Sequence, residues 1–297
     1  MQVHDVDLRL LRIFVAIVEC GGLSAAESRL NIGRSTISSH LSDLEVRLGI
    51  KLCKRGRSGF ELTESGRITY QASLELLQQC DAFASTVASS KNELSGRVTI
   101  AIIDTLVSDP RSGVAHAIAA LKSKSKNIQF DINVCEAREV ETSVVNGRSL
   151  VGIGVSRHHL RGLTYTPLHN ETNYLYCGVG HPLFNCPPQS VDAHLADAEV
   201  ITSNYMRDKE LRNDGLNYQN SAIAYHDEGI AHLILSGKFI GYLPEHYAAH
   251  WVEKGLFKAI NPAQYSYQIP LMLITTKTAT PSPLTQAIIK EIKRSHQ

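Results

Sequence analysis

Short polar side chains follow one another between positions 34 and 42, on one face of a predicted helix. This set contains Arg34, Ser35, Thr36, Ser38, Ser39, His40 and Ser42. Hydroxyl, imidazole and guanidinium groups form hydrogen bonds with the base edges and phosphates of duplex DNA, and no bulky apolar residue on this face blocks their approach. The alternative is the solvated face of an ordinary surface helix, and the surrounding elements decide between the two.

The residues before this face predict a first helix and a tight turn. Ser24 follows Leu23 and stands three residues before Glu27, a spacing typical of a capping box at a helix start. The segment Asn31-Ile32-Gly33 then predicts a turn, because Asn and Gly tolerate left-handed backbone angles. Since Ser24 lies at the start of a helix beside the polar face, we include it among the residues expected to contact DNA.

A second helix is predicted from about residue 34 to residue 48, because apolar residues recur there at helical spacing: Ile37, Leu41, Leu44 and Leu48. An earlier helix, capped by Asp7, has one apolar stripe formed by Leu11, Phe14, Val15 and Val18. These helices supply the core that a small helical domain needs. Capping, turn and face composition agree, which favours a DNA-reading helix–turn–helix over an ordinary surface helix.

Positive charges follow the second helix without an acidic residue between Val46 and Phe60. They are Arg47, Lys51, Lys54, Arg55 and Arg57, and glycines and a serine at 49, 56, 58 and 59 interrupt the stretch. This pattern predicts a short β-wing whose Lys54, Arg55 and Arg57 lie beside the phosphate backbone. The alternative is a solvated charged surface, which is what most charge runs are.

Residues 8–66 resemble the amino-terminal domain of the LysR-type transcriptional regulators. The matching positions are Leu11, Phe14, Ala25, Ala26, Leu30, Ser38, Leu44, Glu45, Leu48, Gly49, Leu52, Arg55, Leu62, Thr63 and Gly66. The resemblance implies a winged helix–turn–helix that binds double-stranded DNA at an interrupted inverted repeat. A symmetric pair of such helices needs half-sites about one helical turn, or a multiple of it, apart.

The sequence departs from the family pattern near the DNA-reading helix. Gly33 stands where the family usually has Ser, Arg34 where it has Gln, Ser39 where it often has Arg, and Cys53 where it has Phe. The helix should still enter the groove, but the family's base preference does not carry over to this chain.

The composition is that of a globular chain with several domains. Its 297 residues suffice for two or three domains, 43% of them are hydrophobic, and the net charge is +1. No apolar stretch approaches a membrane-spanning length, and the polar amino terminus lacks the pattern of a secretory signal. The six cysteines show no CxxC or CxxH spacing, which indicates reduced thiols. We therefore expect a cytoplasmic protein that has no membrane contact.

A long helix is predicted for residues 67–94, which contain neither Pro nor Gly. One apolar stripe consists of Tyr70, Leu74, Leu77, Ala84 and Ala88, and an adjacent one of Leu76, Cys80, Phe83 and Val87. A helix this apolar needs partners, either in its own domain or in a second copy. We favour a dimer helix that buries Leu74, Leu77 and Phe83 between chains, with Ser95-Gly96 ending the helix. The family resemblance implies a homodimer or a homotetramer.

Strands and helices alternate from residue 95 onward, which predicts an α/β fold with right-handed crossovers. Strands are expected at Val98–Ile103, Ile128–Val134, Leu150–Val155, Tyr174–Val179, Val200–Thr202, Ala222–Tyr225, Ile240–Leu243 and Ile269–Thr276. The second of these alternates apolar and polar residues and should be half-buried.

This layout resembles the effector domain of the same family, two α/β lobes like those of periplasmic binding proteins. The matching motifs are Leu168 with Glu171, His181-Pro182-Leu183, and Gly237 with Gly241-Tyr242-Leu243-Pro244. The resemblance implies a DNA-binding domain at 1–66, a linker at 67–94, and an effector domain at 95–297, with lobe I at 95–164 and 268–297 and lobe II at 165–267. The basic segment Arg157–Gly162 is expected to cross between the lobes.

Ligands of such sheets bind beyond the carboxyl ends of the strands, where helix starts offer free N–H groups. The residues placed there are Asp104, Thr105, Leu106, Thr202, Ser203, Asn204, Tyr225, His226, Gly241 and Tyr242. Their hydroxyls and amides suit a carboxylate, whereas Asp104 and Asp109 suit one only if the ligand also carries an amine or a hydroxyl. We therefore expect a small polar metabolite of that kind. The alternative is that these residues only cap loops and helices.

Patterns typical of enzymes are absent from the sequence. His246 and His250 have the i,i+4 spacing of metal ligands, but no HExxH motif contains them, and we expect both on a solvated helix surface. The sequence has no GxSxG, P-loop or GxGxxG motif. We therefore expect no catalytic residues, no metal and no cofactor.

Two classes of function remain open. The first is a sequence-specific transcription factor whose activity a small molecule modulates, with RNA polymerase as a further partner. The second is a redox- or metabolite-sensing protein that uses cysteine chemistry, with DNA binding secondary. Because Cys135 and Cys177 lie in or beside predicted strands, we expect both to be inert core thiols.

Overall fold

A computed structural model describes residues 4–56, 59–90, 93–156, 159–187, 190–203, 216, 222–277 and 281–296. The chain divides into two compact units. The N-terminal unit comprises Met1–Arg97 with Asn146–Arg148 and Ser282–Leu284, and the C-terminal unit comprises Val98–Val145, Ser149–Pro281 and Thr285–Gln297. Each unit has its own hydrophobic core, and each is described separately below.

The N-terminal unit begins with three helices and a β-hairpin, as the sequence predicts. Their bounds are α1 Asp5–Glu19, α2 Leu23–Leu30, α3 Arg34–Leu48, β1 Cys53–Gly56 and β2 Gly59–Leu62. The two strands are antiparallel, with Cys53 opposite Leu62. Phe14, Ile17, Ile37, Leu41, Leu44 and Leu52 are fully buried between these elements, so the apolar spacing identified the inner faces correctly.

The predicted cap of α2 is wrong, whereas Asp7 caps α1 as predicted, although it lies inside the helix. Helix α2 begins at Leu23, and its N-cap is Gly22 at φ 149°, a backbone angle that residues with a side chain rarely adopt. Ser24 therefore lies inside the helix and forms no capping box. Helix α1 begins at Asp5, and Asp7 caps it from the third helical position, because its carboxylate accepts a hydrogen bond from the backbone N–H of the N-cap residue His4 at 2.9 Å. In the turn after α2, Asn31 is left-handed at φ 51°.

A long helix, α4, follows the hairpin at Glu64–Ser89. It begins three residues before the predicted start because the Thr63 hydroxyl accepts a hydrogen bond from Gly66 N–H at 2.9 Å and caps it. Gly66 lies so close to the hairpin that a Cβ atom there would be 2.0 Å from the Leu52 carbonyl oxygen. The helix also ends before Leu94, so the expected end at Ser95-Gly96 is wrong.

The two apolar stripes of α4 have different surroundings in the first and second halves of the helix. Leu74 is buried within its own unit, and the Tyr70 ring packs edge-on against Phe14 with 6.4 Å between ring centroids. Phe83 is 71% exposed and Val87 is 45% exposed. Tyr70 and Leu74 of the first stripe and Leu76 of the second therefore pack inside the chain, which corrects the expectation that Leu74 is buried between chains. Farther along the helix, Ala84 of the first stripe and Phe83 and Val87 of the second are exposed.

The C-terminal unit alternates strands and helices around one main sheet. The strands of this part of the chain are β3 Gly96–Ile102, β4 Ile128–Val134, β5 Val151–Val155, β6 Leu163–Gly178, β7 Glu199–Val200, β8 Thr202–Ser203, β9 Ile223–Ala224, β10 Phe239–Pro244, β11 Phe257–Ala259 and β12 Ser266–Thr276. The helices are α5 Val114–Lys124, α6 Ala137–Val145, α7 Val191–Leu195, α8 Asp227–Leu235, α9 Glu245–Glu253 and α10 Pro283–Ser295.

The main sheet runs in the order β4-β3-β5-β12-β6-β10-β7, with β11 paired to β6. Strands β3 and β5 are parallel, as are β10 and β7, whereas β12 is antiparallel to both of its neighbours. Strands β8 and β9 form a separate parallel pair. Strand β4 lies at the end of the sheet, and its expected half-burial holds only in its first part. Ile128 is buried and Phe130 half-buried, whereas Ile132 and Val134 are exposed.

Two long strands carry the chain between the lobes. Strand β6 pairs with β12 from Leu163 opposite Thr276 to Tyr174 opposite Ser266. The predicted lobe limits near 165 and 268 therefore fall inside continuous strands, and one sheet extends through both lobes. The expectation that Arg157–Gly162 forms the crossing is wrong, because the crossing is the β6–β12 ladder; residues 157 and 158 lie outside the described residues.

Among the described residues, no helix combines the length and the apolar character that a membrane crossing requires.

Candidate nucleic-acid interface and effector cleft

The polar face of α3 is accessible along its first two turns. Arg34, Ser35, Thr36 and Ser39 are exposed, and Ser38, His40 and Ser42 are half-buried. The opposite face inserts Ile37, Leu41 and Leu44 into the core. The helix therefore presents hydrogen-bonding groups outward while its apolar residues fix its position. Ser24 is exposed on α2, next to the exposed Ala25.

Buried carboxylates attach α3 to the rest of the N-terminal unit. Asp7 of α1 pairs with the Arg47 guanidinium, whose Nη2 lies 3.0 Å from Asp7 Oδ2. The hydrogen bond from Arg47 lowers the pKa of Asp7 to about 2, and the His4 N–H adds to this effect. Asp7 therefore stays ionised and paired over the physiological pH range.

The Glu45 carboxylate connects α3 to the hairpin. It accepts hydrogen bonds from the Lys51 ammonium and from the Leu52 backbone N–H, each at 2.8 Å. Burial disfavours ionisation of Glu45, but Lys51 and the N–H groups of Leu52 and Cys53 outweigh it, so its pKa is lowered. Arg47 and Lys51 of the basic run thus have intramolecular partners.

The hairpin forms where the basic run predicts a wing. Lys54 is exposed on β1, where its ammonium is accessible. The backbone of Arg55 lies in the same strand, but its side chain lies outside the described residues, as does all of Arg57.

Four residues from the two lobes meet at one end of the main sheet. Asp104, in the loop after β3, accepts a hydrogen bond from the backbone N–H of Asp227 through its Oδ2 at 2.9 Å. His226 Nδ1 lies 3.6 Å from the same oxygen. Thr105 is left-handed at φ 65°, and its side chain hydrogen-bonds the Asp227 carboxyl. The structure thus brings Asp104, Thr105 and His226 together, as predicted.

Asp227 was not among the residues expected at the cleft. It is the first residue of α8, and an acidic residue directly after His226 at a helix start was the pattern that could have indicated it. Burial raises the pKa of Asp227 well above its ordinary value, and the charges of Asp104 and Glu171 raise it further, against the opposing hydrogen bond from Thr105. The raised pKa favours the neutral form of the Asp227 carboxyl at this position.

Other expected cleft residues lie elsewhere. Leu106 is buried, and Tyr242 packs in the core against Tyr267 with 5.2 Å between ring centroids. Gly241 leaves no space for a ligand, since a Cβ atom there would lie 2.9 Å from Ile201 Cδ1. The structure therefore corrects the placement of Leu106, Gly241 and Tyr242 at a cleft wall, because all three belong to the core.

Three further expected residues lie on or near the small β8–β9 pair. Thr202 is 2% exposed, and its hydroxyl has no hydrogen-bond partner among the described residues. Ser203 is half-buried opposite Ala224, and Tyr225 is exposed. Asn204 lies outside the described residues.

His246 is buried, contrary to the expected solvated position. Its side chain is 7% exposed, and its Nε2 lies 3.1 Å from Glu171 Oε2. Its Nδ1 lies 2.9 Å from the hydroxyl of Ser108, which belongs to lobe I. The i,i+4 spacing of His246 and His250 did not indicate the contacts of His246 with Glu171 and Ser108, because these two partners are distant in sequence. His250 is exposed, as expected.

A second carboxylate cluster adjoins His246. Asp109 Oδ2 lies 2.9 Å from His169 Nε2 and 3.0 Å from Arg111 Nη2. Burial opposes ionisation of Asp109, yet Arg111 and His169 outweigh it and lower its pKa to about 2. A cavity of about 540 Å³ beside this cluster is lined by Ser108, Asp109, Pro110, Arg111, Thr172, Glu245, His246 and Ala249. Asp109 is therefore neutralised internally and does not add an unpaired charge to the cleft.

The six cysteines are free thiols at buried or partly buried positions. Cys53, Cys135, Cys177 and Cys186 are buried, and Cys20 and Cys80 are partly buried. Burial raises the pKa of Cys177 to about 11, which lowers its thiolate fraction and its reactivity. Within the described part of the chain, no group of three His, Cys, Asp or Glu side chains is arranged to hold a metal ion.

Known families match nearly the whole chain. The model of the bacterial regulatory helix-turn-helix protein of the lysR family matches residues 8–67, and that of the LysR substrate binding domain matches residues 91–297. The HTH-type transcriptional activator BauR of Pseudomonas aeruginosa is 41% identical over 293 residues, which cover 98% of this chain and 96% of BauR.

Solved structures show the same fold at lower identity. Full-length CbnR in complex with its target DNA has a TM-score of 0.64 at 17% identity, and the match covers 98% of this chain and 99% of CbnR. A cysteine-to-aspartate variant of full-length OxyR from Pseudomonas aeruginosa has a TM-score of 0.64 at 18% identity, with 97% and 96% covered. The chain therefore belongs to the LysR family of transcriptional regulators, with a helix–turn–helix DNA-binding domain followed by an effector-binding domain.

Proposed function

We propose that α3 reads an interrupted inverted repeat in double-stranded DNA through its first turns. The observation that carries this proposal is the accessible run of Arg34, Ser35 and Thr36 at the amino end of a helix whose other face is fixed in the core. Arg34 and Thr36 contact base edges, and the polar residues that follow them contact phosphates. Lys54, Arg55 and Arg57 of the wing bind the phosphate backbone without sequence preference.

A binding-site selection tests the base-reading role. Arg34→Ala should change which half-site sequence is enriched, because a lost bidentate contact costs about 1–3 kcal/mol at one base position. Arg12→Ala, which removes an exposed positive charge from α1, is the matched control and should leave the enriched sequence unchanged. An unchanged preference in Arg34→Ala would remove Arg34 from the base-reading set.

The chain acts as a homodimer whose α4 helices pair through their exposed stripe. Phe83 and Val87 lie on this stripe at i,i+4 spacing, together with Cys80. Two paired DNA-binding domains match the symmetry of an inverted repeat. Contacts between effector domains then join two dimers into a tetramer, and RNA polymerase is the further partner of the DNA-bound assembly.

A small polar metabolite binds between the lobes of the effector domain and modulates DNA binding. The meeting of Asp104 and Thr105 from lobe I with His226 and Asp227 from lobe II supports this site. A ligand that contacts both lobes favours one lobe arrangement, and only this differential affinity can change the activity of the regulator. Ser203 on β8 is the lobe II residue that we propose opposite Thr105.

The remaining proposals concern the domain limits, catalysis, localisation and cysteine chemistry. The domains are a DNA-binding domain at 1–66, a linker at 67–94 and an effector domain at 95–297, and the extent of α4 at Glu64–Ser89 supports the linker. The protein has no catalytic activity and works in the cytoplasm, where it meets its DNA. Signalling through cysteine oxidation is disfavoured by the burial of Cys135 and Cys177.

A further inference from the structure

The first turn of α8 is capped from the other lobe. Its N-cap residue, His226, makes no side-chain hydrogen bond to the helix. The backbone N–H of Asp227 instead donates to Asp104 Oδ2 at 2.9 Å, across 123 positions of sequence. A carboxylate of lobe I therefore occupies the helix start of lobe II.

This helix start suits an anionic group, since free N–H groups and the helix dipole favour negative charge. The chain's own carboxylate already holds it. A ligand carboxylate can take the same position only by displacing Asp104, and the released charge then lies beside the ligand.

The surroundings of Asp104 make that released charge unfavourable. The Asp227 carboxyl is close enough that Asp104 and Glu171 both raise its pKa, in addition to the effect of burial. The hydroxyl of Thr105 hydrogen-bonds the Asp227 carboxyl, and the basic group beside Asp104 is the exposed His226, whose Nδ1 lies 3.6 Å from Asp104 Oδ2. A dicarboxylate or an unsubstituted carboxylate would thus increase an existing excess of negative charge.

An independent observation concerns a buried hydroxyl on β8, the strand paired with β9. Thr202 is 2% exposed, and its hydroxyl has no partner within the described residues. It lies opposite Ile223 on the strand next to β9, which leads into α8 within three residues. Buried hydroxyls are nearly always hydrogen-bonded in folded proteins, so one without a partner here is consistent with a polar ligand or water at this end of the sheet.

We propose that the effector carries both a carboxylate and an ammonium group, and that its carboxylate replaces Asp104 at the α8 start while its ammonium pairs with the released Asp104. This inference rests on the proposed function of the cleft as the effector site. Asp104 is then the residue that determines effector specificity, and it closes the lobes on each other when no effector is bound.

Calorimetry on the full chain tests the effector class with compounds of matched length. The probes are amino carboxylates, dicarboxylates and diamines of three to six carbons, for example 4-aminobutyrate, succinate and 1,4-diaminobutane, together with α-amino acids. We expect binding by amino carboxylates and none by the dicarboxylate or diamine of equal length. Preference for a dicarboxylate or a diamine, or no binding by any probe at millimolar concentration, would overturn the proposal.

Asp104→Asn tests the residue itself. The amide oxygen can still accept from Asp227 N–H, but the negative charge is removed. The variant should bind the amino carboxylate about 10- to 100-fold more weakly, the effect of losing one charge-assisted hydrogen bond. Its discrimination against an unsubstituted carboxylate such as butyrate should shrink. Asp192→Asn, at an exposed position of α7, is the matched control and should bind like the parent.

Hydrogen exchange supplies a measurement without a ligand. Asp104→Ala should increase exchange of the first amides of α8, because Asp227 N–H loses its acceptor, whereas Asp192→Ala should not. Two outcomes separate the role of Asp104 from the role of the cleft. If Asp104→Asn keeps the selectivity of the parent while Thr105→Val weakens binding of the compound, Asp104 does not determine specificity, but the cleft is still the effector site. If a compound binds and neither variant affects it, the effector site itself lies elsewhere.

Discussion

Glu27 shows how one side chain replaces a missing cap. The N-cap residue of α3 is Gly33, which has no side chain to offer. The Glu27 carboxylate of α2 instead accepts from the backbone N–H of Arg34 at 2.6 Å. A negative charge at a helix start also interacts favourably with the helix dipole. Glu27 thus sets the start of the helix that carries the proposed DNA contacts.

This arrangement predicts a specific rescue. Glu27→Ala should lower the free energy of unfolding by about 0.5–2 kcal/mol, the usual effect of losing a cap. Adding Gly33→Ser should restore most of that loss, because φ at position 33 is −68° and a Cβ atom there meets nothing within 4 Å. Urea unfolding of the parent, the single variants and the double variant measures both effects. No recovery in the double variant would contradict the capping role.

The sequence identified the correct carboxylate with the wrong partner. Leu23, Ser24 and Glu27 have the spacing of a capping box, but the N-cap is Gly22 at positive φ, so the helix starts two residues earlier than predicted. Glu27 then reaches the next helix, seven positions on. Local spacing indicates which residues can cap, whereas the approach of a second helix determines which N–H is available.

Among the elements, α4 has the clearest division between inside and outside. Its Tyr70 and Leu74 pack within the N-terminal unit, while Phe83 and Val87 are exposed on an adjacent stripe. Both stripes were visible in the sequence. Periodicity alone could not show where the core contacts end, because both stripes continue past Leu76 to Val87 and Ala88 without a change in pattern.

Phe83→Asp should therefore prevent dimerisation without unfolding the chain. A charge in an apolar seam between helices is strongly unfavourable, whereas the same charge on a solvated surface costs little. Light scattering should give a smaller mass than for the parent. Ala84→Asp, about 100° around the helix and also exposed, is the control and should keep the parental mass. An unchanged mass in Phe83→Asp would mean that α4 does not form the seam.

The lobes were predicted correctly as alternating strands and helices, but their connection was not. The basic segment Arg157–Gly162, which contains few apolar residues, suggested the crossing between the lobes. In the structure, β6 forms the crossing instead, because β12 pairs with it from Leu163 to Tyr174. A partner about 100 positions away supplies the hydrogen bonds, and single-sequence patterns carry no information about it.

At the scale of the whole effector domain, the contacts between lobes described above are polar. Asp104 meets Asp227 N–H at the end of the sheet, and Ser108 meets His246 beside the β6–β12 ladder. Such contacts stabilise one arrangement of the two lobes but also permit a second one. Hydrogen bonds between the lobes can be replaced by hydrogen bonds to water, whereas separating two packed apolar surfaces costs more.

His246→Ala should therefore lower the stability of the effector domain more than His250→Ala does. The substitution leaves the buried Glu171 carboxylate without this partner, which costs about 1–3 kcal/mol. His250→Ala changes an exposed histidine on the same helix and should have little effect. Thermal unfolding of the two variants makes the comparison. Equal melting temperatures would show that His246 does not stabilise the lobe arrangement.

The position of β12 between β5 and β6 also determines when the effector domain can be completed during synthesis. Residues 266–276 leave the ribosome after nearly all other elements, yet they fill a central place in the sheet. Until then β5 and β6 have no strand between them, and lobe II must form on a chain whose first lobe is incomplete. Such late, long-range pairing slows folding and leaves strand edges open. The DNA-binding helices, made of local contacts near the amino terminus, can fold long before the domain that controls them.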